Sequence, residues 1–321
     1  MDNPKVSVIV PCYNCESTVD ACLDSLYRQT YQNIEIIAVN DGSTDGTLLR
    51  LNLHKKNNPK VLVLDIPNGG VSNARNVAIK HSTGDYIAFL DSDDTVSAKY
   101  LSDMVKHTDC DLVVSGYRSA QSINGGGKSI ASNIYCDTCE YLVDALKAGV
   151  FGFVWGKLYK KAVLEQNKIL MNTQYANFED EDFNLRYLLC CKTIQTLSVC
   201  NYIYCEPEYG KSYRSTDYIH QSMSFLTTVK QMKKYEEYKA FINTWLADRF
   251  LMGALQNLLI HSHDFQKNAL RLFKKEYLPY ISKCRILVKE KRKRAILLNI
   301  LLMGKPSMFR IWMAFVLVNK I

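Results

Sequence analysis

Tyr86-Ile87-Ala88-Phe89-Leu90-Asp91-Ser92-Asp93-Asp94 is a short apolar run that ends without transition in three carboxylates. Five apolar residues in succession are too few for a buried helix, so they read as a strand covered on both faces. The carboxylates repel one another and do not stabilise a turn by themselves. One reading is an acidic turn that caps the next helix, since Asp and Ser are good caps. The other is a site for Mg²⁺ or Mn²⁺, which takes one or two carboxylates together with substrate phosphates.

The same grammar extends on both sides of this run. Val6-Ser7-Val8-Ile9-Val10 is a β-branched strand that Pro11 is expected to stop. Residues 17–29 carry Val19, Cys22, Leu23 and Leu26 at helical spacing. Ile34 to Val39 is a second buried strand, followed by the turn Asn40-Asp41-Gly42-Ser43-Thr44-Asp45-Gly46 and a helix toward Lys55. Val61 to Leu64 is a third strand, Asn68-Gly69-Gly70 a turn, and Val71 to His81 a helix. Alternating β and α units with near-continuous apolar strands predict an α/β fold: a mostly parallel, Rossmann-like sheet with helices on both faces. Ligands bind such sheets outside the carboxyl ends of the strands.

Beyond about residue 100 the regularity loosens. Leu112 to Ser115 reads as a strand, and Cys139–Ala148 and Lys160–Gln166 as helices. From about Thr216 there is no strand pattern, so an all-helical C-terminal extension is expected. Phe178-Glu179-Asp180-Glu181-Asp182-Phe183 is a second acidic cluster. Acidic residues suit the first turn of a helix, but crowded carboxylates also raise one another's pKa toward that of a general base. No G-x-G-x-x-G or G-x-x-x-x-G-K-[ST] occurs at the turns, which argues against a dinucleotide oxidoreductase and a P-loop ATPase.

Composition is that of a globular protein. The 321 residues are 47% hydrophobic and 22% charged, which excludes a disordered tail, a collagen and a small disulfide scaffold. The net charge of +8 suits an anionic substrate, an anionic membrane or nucleic acid. No secretory signal opens the sequence, and the 11 cysteines are expected as free thiols in a reducing cytoplasm. A zinc site shared by Cys12-x-x-Cys15 and Cys136-x-x-Cys139 would need tighter spacing. His261 and His263, two apart in a helical stretch, do not share a face.

Val8-Ile9-Val10-Pro11-Cys12-Tyr13-Asn14 followed by Glu35-Ile36-Ile37-Ala38-Val39-Asn40-Asp41-Gly42-Ser43-Thr44-Asp45-Gly46-Thr47 resembles the opening of family 2 glycosyltransferases with the GT-A fold. Asn68–Asn76, Gly84–Asp94, Trp155-Gly156-Lys157-Leu158-Tyr159 and Glu179-Asp180-x-x-Phe183-Asn184 extend the resemblance in the same order, over roughly residues 4 to 205. It implies a bacterial polysaccharide-synthesis enzyme that transfers a sugar from a nucleotide-diphosphate donor, a UDP-sugar, with inversion. Tyr13 and Asp41 match positions that hold the nucleoside, with Pro11, Asn14 and Ser92 beside it. Arg75 flanks the nucleotide, where its charge could face the diphosphate. Asp93 and Asp91 match the metal-binding motif for Mn²⁺ or Mg²⁺, and Asp180 the catalytic base. Glu179, Trp155 and Lys157 are expected around the sugars, although a core Trp is an equal reading of Trp155. The family often has Asp where this chain has Asn40.

The resemblance implies a catalytic domain over residues 1–212, with a nucleotide-binding half at 1–95 and an acceptor half at 96–212. Residues 213–321 form the helical extension. No Q-x-x-R-W motif of processive synthases is present, so single addition to a saccharide or lipid-linked saccharide in capsule, exopolysaccharide or lipopolysaccharide is expected. Ala295–Met303 and Met308–Val318 fall short of the roughly 18 to 20 apolar residues of a spanning helix. They read either as packed amphipathic helices, including contact with a second copy in a homodimer, or as an interfacial anchor. In the second case Trp312 and Phe315 would insert and the basic run 289–294 would meet anionic headgroups. That places the protein in the cytoplasm, peripheral at the inner face of the plasma membrane; no nucleic-acid motif accompanies the basic run. Two rival readings are a sugar-nucleotide nucleotidyltransferase and a catalytically silent scaffold subunit of a polysaccharide-synthesis complex.

Overall fold

The computed structural model describes residues 3–121, 126–175, 178–205 and 218–257, together with 271, 275, 276 and 279. The chain divides into two compact units, Met1–Lys211 and Ser212–Ile321.

Unit one is built on one sheet. Its strands are β1 (Val6–Cys12), β2 (Ile34–Asp41), β3 (Val61–Ile66), β4 (Tyr86–Phe89), β5 (Thr95–Val96), β6 (Leu112–Ser119), β7 (Gly127–Lys128), β8 (Asn133–Tyr135), β9 (Lys157–Lys160) and β10 (Ile194–Tyr204). The order is β3-β2-β1-β4-β9-β6-β10-β5, with β7 on β6 and β8 on β10. β3, β2, β1 and β4 pair in parallel. β9 enters antiparallel between β4 and β6, and β10 lies parallel to β6. Two reversals through β9 restore the direction, so most of the sheet runs one way. Every residue of β1 is buried, as a strand covered on both faces requires.

The helices are α1 (Val19–Tyr27), α2 (Thr47–Asn57), α3 (Val71–His81), α4 (Tyr100–Met104), α5 (Thr138–Ala148), α6 (Lys161–Gln166) and α7 (Glu179–Leu188). Helix α5 is closed at both ends as its sequence allows. Asp137 accepts the N–H groups of Cys139 and Glu140, and Gly149 leaves the helix at φ 69°. Helix α3 packs on β1 and β2. In the second unit α8 (Tyr218–Val229) and α9 (Tyr235–Asn257) pack together. There Asn243, 0% exposed, accepts from the Tyr235 hydroxyl and donates to the Glu276 carbonyl. Among the described residues no helix is long and apolar enough to cross a membrane. The basic run 289–294, the apolar runs at 295–318, His261 and His263 lie outside the described residues.

Two expectations need correction. Pro11 does not stop β1, which continues through Pro11↔Val39 to Cys12↔Asn40. The Ile9 carbonyl turns toward β4 and accepts from Leu90 N–H. Pro11, two residues on, presents its missing N–H to the same side, where β4 has already ended at Phe89. The sequence also concealed β9 and β10. Lys157-Leu158-Tyr159-Lys160 is only four residues long and has a lysine at each end, and β10 carries a register shift between Leu197 and Tyr202.

Candidate active site

Strands β2, β1 and β4 are neighbours, so the loops at their carboxyl ends form one edge. The Tyr13–Asn14 turn after β1 is bound to the loop after β2. Asn14, at φ 47°, donates its N–H to Ser43 Oγ (3.1 Å) and accepts from Thr44 N–H (2.8 Å). Tyr13 stands 52% exposed beside it. Asp41 is 3% exposed, and its carboxylate accepts the Gly69 and Gly70 N–H groups, each at 2.8 Å. Its oxygens therefore already hold the turn after β3. Asn40 ties the same two strands through Asp65 Oδ1 at 2.7 Å. Gly42 is needed here: at φ 67° a Cβ would lie 2.6 Å from the Asn68 nitrogen.

Arg75 comes from the buried face of α3 and is 3% exposed. Its Nη2 donates to Asp91 Oδ1 at 2.8 Å and its Nη1 to Asp180 Oδ1 at 2.7 Å. Its charge is thus turned on two carboxylates rather than on open space, unlike the expected approach to a diphosphate. Its Nε is buried without a hydrogen-bond partner. The guanidinium is held above its ordinary pKa: burial opposes its charge, but Asp180 and Asp91 outweigh burial. Asn76, the next residue, exchanges two hydrogen bonds with the backbone of Met171 (2.9 and 2.7 Å). That anchors α3 to the segment leading toward α7.

Helix α7 opens with Glu179, Asp180, Glu181 and Asp182 in its first turn, the favourable end for negative charge. Asp180 Oδ2 accepts the Val154 N–H at 3.2 Å. Burial drives the Asp180 carboxyl above its usual value, and Asp91 adds to this, while Arg75, Val154 N–H and Lys157 oppose it. Glu179 is raised by burial and by Asp180 beside it.

The loop that carries Val154 is held from below. Lys157, 1% exposed, donates its ammonium to the carbonyls of Val150 (2.9 Å) and Phe153. Burial lowers it to about 7. Asn184 of α7 donates to Phe151 O (2.7 Å) and Phe153 O (3.0 Å) and accepts from Tyr159 Oη (2.6 Å). Trp155, 5% exposed, stacks between Phe153 and Tyr202 at centroid distances of 4.2 and 4.3 Å. Lys157 and Trp155, expected around the sugars, are therefore buried supports of the loop that positions Asp180.

Asp94, given no separate role by the sequence, is 1% exposed. It accepts Tyr202 Oη at 2.5 Å and Cys205 N–H at 2.7 Å, and Tyr202 Oη itself accepts Asp91 N–H at 3.4 Å. Burial, with the charges of Asp91 and Asp93 adding, pushes its carboxyl up to about 7. Asp91 and Asp93 are only partly buried. Their oxygen donors are of the kind that Mg²⁺ or Mn²⁺ takes together with substrate phosphates, and their charges add to the burial that raises Asp94. Ser92 lies beside the Cys15 thiol. Among the described residues no three His, Cys, Asp or Glu side chains group as a protein-only metal cage.

The structure thus brings Arg75, Asp91, Asp180 and the Val154 N–H into one bonded group, with Glu179 beside it. Asp41, Tyr13 and Asn14 form the neighbouring loop pair. Sequence reading missed Asn76, Asn184 and the Asp94–Tyr202 bond. Asn76 and Asn184 both stand inside the motifs that carry the resemblance, which was the available signal for them; nothing local marked the Asp94–Tyr202 bond.

The family described as Glycosyl transferase family 2 matches residues 7–187. EpsH of Bacillus subtilis is 33% identical over 213 residues, covering 64% of this chain and 61% of EpsH. The chain therefore spans less than two thirds of that relative. The poly(ribitol-phosphate) beta-N-acetylglucosaminyltransferase TarS of Staphylococcus aureus is 30% identical over 215 residues, 64% of this chain and 36% of TarS. The structure of TarS 1–349 with UDP-GlcNAc superposes with a TM-score of 0.70 and 23% identity, covering 97% of this chain and 90% of that one. The mannosyltransferase PcManGT from Pyrobaculum calidifontis, solved with GDP-Man and Mn²⁺, gives a TM-score of 0.58 and 18% identity over 98% and 86%. Both superpositions bear on the fold.

Proposed function

This chain belongs to glycosyl transferase family 2, and on that premise we propose that it moves a single sugar from a UDP-sugar to a hydroxyl of a saccharide or lipid-linked saccharide, with inversion. The observation that carries this reading is the Arg75 bridge, which joins Asp180 to Asp91 through one buried guanidinium. It couples the candidate base to the candidate diphosphate loop and orients both.

Asp180 accepts the proton of the acceptor hydroxyl as that oxygen attacks the anomeric carbon. A carboxyl raised by burial is a better base at neutral pH than an ordinary one. Arg75 and Val154 N–H fix its two oxygens, so it meets the acceptor in one orientation. Asp93 and Asp91 would hold Mn²⁺ or Mg²⁺, which when bound supplies neutralisation of the charge on the departing diphosphate. Tyr13 offers a ring to the nucleoside, Pro11 and Asn14 shape that loop, Asp41 holds the adjacent turn, and Ser92 faces the same edge. Glu179 shapes the sugar site.

The proposed setting is synthesis of a bacterial polysaccharide, and a relative that glycosylates a poly(ribitol-phosphate) chain supports a polymeric acceptor. Residues 1–212 are assigned to catalysis, 1–95 to the nucleotide and 96–212 to the acceptor. Peripheral placement at the inner face of the plasma membrane rests on the sequence of residues 289–318.

The test is nucleoside diphosphate release from a panel of UDP- and GDP-sugars with Mn²⁺ and a membrane extract as acceptor source. Release from one donor, lost in Asp93→Ala and Asp180→Asn, is expected. Pyrophosphate release instead would identify a nucleotidyltransferase. Unchanged release in Asp180→Asn would remove the proposed base.

A further inference from the structure

Aromatic rings pile up beside the loop that holds Asp180. Trp155 lies between Tyr202 and Phe153, nearly parallel to both, at interplanar angles of 10° and 12°. Exposure rises along the pile: Tyr202 is 0% exposed, Trp155 5%, and Phe153 is half-buried. Phe153 is therefore the outer ring. Tyr117 stands almost perpendicular to Phe153 (79°) and to Trp155 (85°), at centroid distances of 5.9 and 5.0 Å. A ring capping Phe153 would lie much farther from Trp155 than from Phe153, so Tyr117 flanks the pile and does not close it. Tyr204 lies beside Trp155 at 5.8 Å, nearly parallel to it.

The pile belongs to the edge that carries the candidate active site. Strands β6 and β10 run the same way as β4, because β9 between β4 and β6 is antiparallel to both. Tyr117 stands near the end of β6 and Tyr204 ends β10, so both lie on the edge that Asp91 occupies after β4. At the inner end of the pile, the Tyr202 hydroxyl accepts the Asp91 N–H and donates to Asp94. At the outer end, Phe153 precedes Val154, whose N–H holds Asp180 Oδ2 at 3.2 Å. The Phe153 carbonyl accepts from Lys157 and from Asn184, so its backbone is fixed from below.

We propose that the outer face of Phe153 is an acceptor subsite, on which a pyranose ring of the acceptor stacks beside Asp180. It rests on the reading of Asp180 as the base, which makes the acceptor the substrate on that side. The face of an aromatic ring is the negative part of its quadrupole and attracts weakly positive C–H groups. A pyranose chair turns axial C–H groups to one face and carries hydroxyls at its rim, so it meets the ring and the carboxylate together. An alkyl chain would meet the ring but offers the base no proton, and a phosphate would be repelled by both. Ring and loop are packed in place before the sugar arrives, so little ordering is left to oppose binding.

The experiment is saturation-transfer difference NMR on the full chain with UDP and Mg²⁺. The probes are the methyl β-glycosides of glucose, galactose, N-acetylglucosamine and N-acetylgalactosamine. At least one of them is expected to be saturated, most strongly at the protons of one ring face. Phe153→Leu keeps an apolar side chain and removes the aromatic face; it is expected to raise the glycoside Kd about fivefold or more. Phe153→Tyr keeps the face and is expected to bind as the wild type does. Three results would overturn the proposal: glycoside affinity equal in wild type and Phe153→Leu, a loss in Phe153→Tyr as large as in Phe153→Leu, or no saturation of any glycoside by the wild type. A lowered Tm with UDP and glycoside lost together in Phe153→Leu would make the ring a structural support and also overturn it. UDP in the same tube separates the two readings. Saturated UDP with a glycoside signal indifferent to Phe153 sinks this subsite alone. No saturation of UDP by the wild type sinks the nucleotide reading, while the glycosides still decide the ring.

Discussion

Arg75 and Asp180, 105 residues apart in the chain, are joined by an Nη1–Oδ1 bond of 2.7 Å, and the other arm of the same guanidinium holds Asp91 at 2.8 Å. Removing one partner of a buried pair strands the other charge, at a cost of about 3–5 kcal/mol. Arg75→Ala is therefore expected to lower the Tm and abolish transfer. Arg75→Lys keeps the charge but not the two-armed fork. It is expected to unfold between wild type and Arg75→Ala, because one of the two carboxylates loses its partner, and to lose most of its kcat. Thermal unfolding beside steady-state kinetics separates the two effects.

Asp180→Asn keeps the shape of the side chain and removes the base. Transfer is expected to slow by about 10²–10⁴-fold, with UDP affinity preserved in calorimetry. The pH profile carries a sign. Asp180 must be ionised to act, and its pKa is raised by burial against the pull of Arg75. The acidic limb of kcat/KM then lies at higher pH than for an ordinary Asp, and rate rises with pH through it. A limb in the ordinary carboxylate range would contradict this.

Divalent metal is expected to be required. EDTA should abolish donor turnover and Mn²⁺ or Mg²⁺ restore it. Asp93→Ala should need a far higher Mn²⁺ concentration, and Asp91→Asn should lose both a metal oxygen charge and its ion pair to Arg75. Activity in EDTA equal to that in Mn²⁺ would exclude the metal.

Asp94 makes stability depend on pH. Its folded pKa is pushed up to about 7 from an ordinary 3.8, with burial the first cause. Its stabilising contribution is fully present below 3.8 and is lost as pH rises through about 7. In metal-free buffer the wild type should gain Tm between pH 7.5 and 5.5 relative to Asp94→Asn. Parallel curves for the two proteins would disprove the assignment.

Glu35 works in the opposite sense. Burial alone would raise it, but Lys5, Ser7 and Thr83 donate to it and hold it at about 2, below the ordinary 4.5. Its contribution is present above 4.5 and is lost as pH falls toward 2. Glu35→Gln should cost at most about 3 kcal/mol at neutral pH, less solvent screening at the partly exposed Lys5, and the difference should vanish near pH 2. Urea unfolding at both pH values reads this.

The apolar runs at Val6–Val10, Ile34–Val39 and Tyr86–Leu90 by themselves determined a parallel α/β sheet. Uninterrupted burial in short segments has no other economical solution, and helical spacing between them supplied the cover. They also placed Tyr13, Asp41 and Asp91 on one edge, because parallel strands end together. Tertiary structure alone decided the rest. β9 entered reversed between β4 and β6, which no local pattern recorded, since its four residues gain their burial only from strands distant in sequence. Trp155 went to a stack with Phe153 and Tyr202, Lys157 to backbone carbonyls, and Arg75 to two carboxylates. Residue type says that a buried charge must be compensated; which partner compensates it depends on where the folded chain places that partner.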